Sequence, residues 1–165
     1  MERDLPEPWR AFLTDVDSAL PQPIEIHCLG GFVAALYADL PRPTNDVDFV
    51  EVVPHDAIAP LQDVAGIDSA LARKHRLHFQ HVSVASLPES YADRLTTLFP
   101  GTFQRLRIRA LDAHDLALSK LARNSAIDRH DIAGLARAVR SQCRSPSLSV
   151  PTRASADHHG RSRAA

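Results

Sequence analysis

Two stretches of the sequence indicate the fold most clearly: LGG at residues 29–31 and PRPTNDVDF at residues 41–49. The second continues to residue 52, so that DVDFVEV at 46–52 alternates acidic and apolar residues almost without a break. Such alternation is typical of a β-strand with one buried face. Because side chains two residues apart in a strand share a face, the carboxylates of Asp46 and Asp48 are expected to project together.

The paired carboxylates predict a cation site. Their backbones lie about 6–7 Å apart if the strand rises about 3.3 Å per residue, so the two charges repel unless a cation lies between them. Mg²⁺ typically takes one or two protein carboxylates and completes its shell with water and substrate phosphates. An isolated Asp-x-Asp is more often a solvent-facing acidic strand, so a second motif has to support the metal site.

The glycine pair supplies that support. Gly30-Gly31 follows a predicted strand and opens a predicted helix. Glycines in this position let backbone N–H groups approach a phosphate, and a helix N-terminus favours negative charge. A phosphate-binding turn, a short helix, a proline-rich loop and two acids together predict a site for a metal and a triphosphate.

Length and composition set the class of protein. The chain has 165 residues, of which 44% are apolar and 24% charged, as in an average single globular domain. A formal net charge of -1 argues against a basic nucleic-acid coat, and 5% aromatic residues argue against an RNA binder built on many stacked rings. We find no membrane-length apolar run and no secretory segment, so we expect a soluble, cytoplasmic protein without a membrane partner.

The pattern of elements predicts an α/β (α+β) fold with a short mixed sheet flanked by helices and followed by a C-terminal helical pair. We expect a domain over residues 1–140, with a core at 24–110 and a helical part at 112–140. Residues 141–165 are basic and rich in Ser and Pro, which predicts a disordered tail. The predicted strands are 24–28, 46–52, 77–84 and 103–110, and the predicted helices are 9–20, 32–40, 56–74 with a break at Gly66, 89–98, 113–124 and 127–140.

These motifs resemble the core signature of the DNA polymerase beta-like nucleotidyltransferase superfamily, over residues 24–140. The Arg-x-Thr-x-Asp-x-Asp form is most similar to minimal nucleotidyltransferases, including the abortive-infection (AbiE-type) toxins. The resemblance implies that Asp46 and Asp48 hold Mg²⁺ (or Mn²⁺) and that Gly30 and Gly31 contact an NTP. It further implies transfer of a nucleotidyl group from the NTP to an acceptor hydroxyl, with release of pyrophosphate.

A later motif, KLAR followed by DRHD, extends the similarity to the toxin-like members. Lys120 and Arg123 are one helical turn apart and share a face, where two cations suit triphosphate oxygens. In these relatives an acid of this region acts as base or metal partner, which is the role implied for Asp131. Thr44 or Arg42 is expected to order the loop before the acids. An interhelical salt bridge between these cations and Asp131 is the structural alternative.

The chain also departs from the family. Active members usually supply a third carboxylate from a later strand, but LHFQHVSV at 77–84 has no acid, and His81 stands where we expect one. Glu51 faces away from the Asp pair if its strand is regular. A catalytically silent module that binds a nucleotide or a partner protein is therefore the alternative to an active enzyme. A metal-dependent phosphodiesterase ranks third, because it needs neither the glycine turn nor Lys120.

The acceptor is left open between an RNA 3′ end, tRNA in particular, a protein hydroxyl and a small molecule. The toxin-like resemblance favours RNA and implies a neutralising antitoxin partner. Arg105, Arg107 and Arg109 alternate along one strand face, where they either guide an RNA backbone or form a solvated surface. Arg94 either orders a loop or contacts the substrate.

Overall fold

A computed structural model of the chain describes residues 5–38, 44–123 and 132–137. Within these residues the strands are β1 (Ile24–Cys28), β2 (Asp46–Val53), β3 (His78–His81), β4 (Thr96–Leu98) and β5 (Leu106–Ala110). They form one sheet in the order β3-β2-β1-β5-β4. The sheet is mixed: β1 pairs antiparallel with β2, and β4 with β5, whereas β1 and β5 pair in parallel, as do β2 and β3.

Helices flank this sheet. They are α1 (Trp9–Ala19), α2 (Gly30–Ala38), α3 (Ile58–Ala65), α4 (Ala70–His75) and α5 (Ala113–Arg123), with 3-10 turns at His55–Ala57 and Tyr91–Arg94. Residues 132–137 are also helical. Among the described residues no helix combines the length and the apolar character needed to cross a membrane. The mixed sheet with flanking helices confirms the predicted fold class.

The two faces of the sheet differ in chemistry. On one, which we call the core face, the buried rings of Phe49 and Phe79 have centroids 6.1 Å apart, and Phe12 of α1 lies 5.6 Å from Phe79. Pairing across the strands places polar side chains on the other face, which we call the polar face. Its members are Glu25, His27, Asp46, Asp48, Glu51, Gln80, Arg107 and Arg109.

The predicted helix at 89–98 is wrong. Residues 91–94 form a 3-10 turn, and β4 follows it and pairs antiparallel with β5. Too few apolar residues recur at helical spacing in this segment to stabilise a helix. The two threonines of β4 favour a strand that has a pairing partner. The partner is distant in sequence, so local periodicity does not reveal it.

The strand predicted at 103–110 begins later than expected. The carboxylate of Asp17 accepts backbone N–H bonds from Gln104 at 3.1 Å and from Arg105 and Leu106 at 2.7 Å. Just before β5, the N–H groups of Gln104 and Arg105 thus bond to Asp17 and not to a neighbouring strand. The strand predicted at 77–84 is likewise shorter, and the predicted tail at 141–165 lies outside the described residues.

Candidate functional site

The acid pair lies on the polar face at the beginning of β2. Asp46 and Asp48 are both half-buried, whereas Val47 and Phe49 between and after them are fully buried on the core face. The hydroxyl of Thr44 donates to Asp46 Oδ1 at 2.5 Å, which fixes that carboxylate relative to the loop before the strand. The alternation in the sequence therefore places the two acids as predicted, with Thr44 ordering one of them.

The glycine turn contacts the second acid directly. Gly30 opens α2 with φ of +79°, and a β-carbon built on it would stand 2.0 Å from Asp48 Oδ2. The backbone N–H of Leu29 donates to the carbonyl of Asp48 at 3.0 Å, which ties the turn to the strand. Only glycine combines this backbone conformation with this close approach.

Gly31 makes the corresponding contact with the other half of the site. Its β-carbon would stand 3.2 Å from the hydroxyl oxygen of Thr44, the same oxygen that binds Asp46. The turn and the acids, separated in sequence by α2 and its following loop, thus form one compact group. This group lies at the start of α2, where the first backbone N–H groups lack a partner within the helix.

Cys28 lies beneath the site and takes no visible part in its chemistry. Burial, and secondarily the charge of Asp48, raises the pKa of its thiol far above the ordinary value. A thiol held protonated in an apolar environment is a poor nucleophile and a poor metal ligand. The prediction that Cys28 is a small core residue agrees with its full burial.

Glu51 does not face away from the acid pair. The register between β1 and β2 shifts, so that Cys28 pairs with Phe49 whereas the preceding His27 pairs with Glu51. The extra residue on β2 is a β-bulge, and it returns Glu51 to the polar face. Hydrogen bonding by His55 chiefly lowers the pKa of Glu51, and the bond to His55 Nδ1 measures 2.9 Å.

The position level with Asp48 on β3 is Gln80, not His81. His81 pairs with Phe49, stacks on its ring at 5.1 Å and lies 3.3 Å from the carbonyl of Val50 through Nε2. The expectation that His81 replaces a third acid is therefore corrected: the replacing residue is a neutral amide. An amide oxygen can bind a hard cation but contributes no charge.

Comparison with known families identifies the chain. Residues 14–150 match the family model described as nucleotidyltransferase of unknown function (DUF6036). The chain belongs to this nucleotidyltransferase family. No match was found among the curated proteins or among the solved structures.

The remaining predicted site residues, Lys120, Arg123 and Asp131, belong to α5 or follow it in the sequence. Lys120 is buried on α5, a helix that packs against α2. Arg123 is the last residue of α5, and its side chain is outside the described part of the structure, as are Asp131 and the loop with Arg42. Their roles stay predictions.

A polar network next to the acids was not anticipated. His27 is buried, with Nε2 3.3 Å from Glu25 Oε1 and Nδ1 3.3 Å from the hydroxyl of Tyr91. A carboxylate only accepts, so Nε2 donates to Glu25. Burial, and then the charge of Glu51, raises the pKa of Tyr91, which keeps that hydroxyl a donor. The alternation in IEIHC already puts Glu25 and His27 on one face, which was the available signal.

The chemistry of the acid pair suits a hard cation. Asp46 and Asp48 offer oxygen donors on one face, and the missing β-carbon of Gly30 leaves Asp48 directly against the backbone of the turn. Among the described residues no group of three or more His, Cys, Asp or Glu side chains is placed to hold a metal. Two carboxylates on one face are the donor set that Mg²⁺ commonly takes from a protein, with water and phosphate oxygens completing its shell.

Proposed function

We propose that this protein is a Mg²⁺- or Mn²⁺-dependent nucleotidyltransferase that moves a nucleotidyl group from an NTP to an acceptor hydroxyl. One observation carries the proposal: the glycine turn and the acid pair are in contact, Gly30 with Asp48 and Gly31 with the Thr44 hydroxyl that binds Asp46. Membership of a nucleotidyltransferase family supports the same reaction class.

Each half of this group has its own task. The N–H groups at the start of α2 take phosphate oxygens, since they have no partner within the helix and lie at its positive end. Asp46 and Asp48 hold the divalent cation. When bound, the cation supplies positive charge to the phosphates of the NTP. Lys120 and Arg123 are proposed to neutralise further triphosphate charge.

The reaction is a displacement at the α-phosphorus. The acceptor oxygen forms a bond to that phosphorus while the bond to the bridging oxygen of the β-phosphate breaks, and pyrophosphate leaves with the electron pair. The acceptor hydroxyl gives up its proton to a base, the role proposed for Asp131. Thr44 holds Asp46 in place throughout, because its hydroxyl bond to Oδ1 restricts the carboxylate rotamer.

For the acceptor we propose RNA, with the 3′ end of tRNA as the first choice and a protein hydroxyl as the second. The similarity to abortive-infection toxins supports this order and implies a neutralising partner protein. Expression in bacteria tests the toxin-like role, since the wild-type chain should arrest growth and the Asp46→Asn/Asp48→Asn chain should not.

A second candidate is a silent binding module. The residue level with Asp48 on β3 is Gln80, a neutral amide, and this favours it. Such a module would retain NTP binding at the glycine turn without transferring label. Turnover that depends on the metal excludes it.

Label transfer tests the proposal. The purified chain is incubated with Mg²⁺ or Mn²⁺, each of four α-³²P NTPs and total RNA, and in parallel without RNA. The double variant Asp46→Asn/Asp48→Asn runs beside Asp63→Asn, a control that removes one carboxylate at an exposed position of α3. Mn²⁺ binding, followed by electron paramagnetic resonance, is measured on the same three proteins.

We expect label on the acceptor with wild type and Asp63→Asn, and neither label nor tight Mn²⁺ binding with the double variant. Mn²⁺ and NTP binding without label under any condition would favour the silent module. Undiminished Mn²⁺ binding in the double variant would show that Asp46 and Asp48 do not bind the metal.

A further inference from the structure

A groove lies at the opposite end of the polar face from the acid pair. It has a volume of about 590 Å³ and is bordered by the first residues of β1 and β5 and by the turn after β4. Glu25 and Arg107, which are polar-face residues, line it together with Phe99, Phe103 and Arg105. On β2 it reaches Val53, five residues beyond Asp48; because the bulge takes up one of these residues, the separation is about 13 Å at the usual strand rise.

The arginines at this end of the sheet are not equivalent. Arg109 donates to the carbonyl of Leu95 and to Glu25, and its side chain is 28% exposed. Arg105 donates to the carbonyl of Leu20 at 2.6 Å. Arg107 makes one long contact of 3.4 Å with Glu25 and is 70% exposed. Its guanidinium is therefore the most available cation of the three for an anionic ligand.

Two aromatic rings accompany these cations. Phe99 and Phe103 are half-buried, so part of each ring lines the groove. Phe99 holds φ of +50°, an uncommon conformation for a bulky residue, in the turn that also contains Gly101. Aromatic faces beside arginines are the combination used for single-stranded nucleic acid, in which bases stack and phosphates are neutralised.

We propose that this groove binds the single-stranded segment of an RNA acceptor, with bases against Phe99 and Phe103 and phosphates at Arg105 and Arg107. The inference rests on the proposed function and adds the place of its acceptor. On the polar face, Glu25, His27 and Glu51 lie between the groove and the acid pair. The 3′ end of a strand seated in the groove would have to cross about 13 Å to reach Asp48.

The test is direct binding, separate from turnover. Fluorescence anisotropy of a 5′-labelled single-stranded RNA dodecamer is measured with Mg²⁺ and without NTP, at several salt concentrations. The variants are Arg107→Gln and Phe99→Gly, with Arg73→Gln on α4 as the charge-matched control away from the groove. Glycine suits the φ of position 99, so we expect Phe99→Gly to fold, which a thermal melt checks.

We expect each groove variant to weaken RNA binding by about fivefold or more, the lower end of what one lost base stack costs. Arg107→Gln should also reduce the slope of log K against log salt by about 0.7, the value for one phosphate contact on a single strand. Arg73→Gln should change neither quantity.

One further protein separates this inference from the proposed function. Asp46→Asn/Asp48→Asn should bind the RNA like wild type yet transfer no label, because the acids are distant from the groove. RNA binding equal in Arg107→Gln, Phe99→Gly and Arg73→Gln would overturn the groove, even if label transfer persists. Saturable binding of a protein acceptor in place of RNA would overturn it too, while leaving the transferase intact.

Discussion

Gly30 and Asp48 are in contact so close that Asp48 Oδ2 lies 2.0 Å from where a β-carbon on Gly30 would stand. The two residues are separated by α2 and the loop that follows it, yet the carboxylate occupies the space that any other side chain would need. The glycine turn and Asp48, which we propose to bind phosphate and metal, are therefore a single unit, and a change in one moves the other.

Replacing Gly30 by alanine should damage both halves of that unit. The backbone there has φ of +79°, and the new methyl group would displace the Asp48 carboxylate. We expect a loss of about 2–4 kcal/mol in the free energy of unfolding, together with loss of Mn²⁺ binding and of label transfer. Urea denaturation and Mn²⁺ titration measure the two effects.

Gly101→Ala is the matched control for backbone strain. Its φ is +77°, but nothing lies within 4 Å of its added β-carbon. It should lose about 1–2 kcal/mol and bind Mn²⁺ normally. Equal Mn²⁺ affinity in the two alanine variants would show that the contact with Asp48 is not needed.

Thr44→Val removes the hydroxyl that holds Asp46 while preserving the shape of the side chain. Because the carboxylate loses one orienting bond, we expect transfer to slow by about 10- to 100-fold, with a change in stability of about 1 kcal/mol or less. Thr44→Ser, which keeps the hydroxyl, should restore most of the rate. Similar rates for Val and Ser variants would assign Thr44 a packing role only.

The core of the site was predictable because it depends on local rules. Strand alternation places Asp46 and Asp48 on one face whatever the rest of the chain does. Glycines at a strand-to-helix junction need φ values that other residues avoid, as Gly30 shows. These two motifs indicate the fold and the position of the acids without any knowledge of strand order.

Features that depend on pairing between distant strands were not predictable. The bulge that returns Glu51 to the polar face arises where β2 meets β1, and nothing in DVDFVEV signals it. The identity of the residue level with Asp48 depends on the register with β3, where one residue separates Gln80 from His81 and moves the side chain to the other face. Strand β4 likewise exists because β5 is there to pair with it.

The network around Glu25 should make stability depend on pH. Burial alone raises the pKa of Glu25, but bonds from His27, Arg107 and Arg109 together lower it below the ordinary value of 4.5. A lowered pKa in the folded state contributes stability that is present above pH 4.5 and is lost as the pH falls through the lowered value.

Glu25→Gln should therefore be less stable than wild type at pH 7, with the difference shrinking below pH 4.5. Urea unfolding of both proteins at several pH values from 7 down to about 3 would measure this difference in the free energy of unfolding. Glu89→Gln, at an exposed position, serves as the control and should follow wild type at every pH. A difference between Glu25→Gln and wild type that does not vary with pH would contradict the assignment.

Arg94 orders the chain between the 3-10 turn and α5. Its guanidinium makes a bidentate pair with Asp115, with Nε–Oδ2 and Nη2–Oδ1 distances of 3.0 Å, and donates to Ser90 Oγ at 2.8 Å. Asp115 is buried, with 4% of its side chain exposed, whereas the side chain of Arg94 is 40% exposed. Because solvent screens the exposed guanidinium of Arg94, this ion pair is weaker than a fully buried one.

Arg94→Lys keeps the charge but cannot form the bidentate pair with Asp115, so we expect the free energy of unfolding to fall by about 1–2 kcal/mol. Asp115→Asn should cost a similar amount, and the double variant should cost less than the sum of the two, because each single change already breaks the same pair. Urea denaturation of the four proteins gives this coupling energy. Arg94→Lys as stable as wild type but slower in label transfer would instead assign the guanidinium to the substrate.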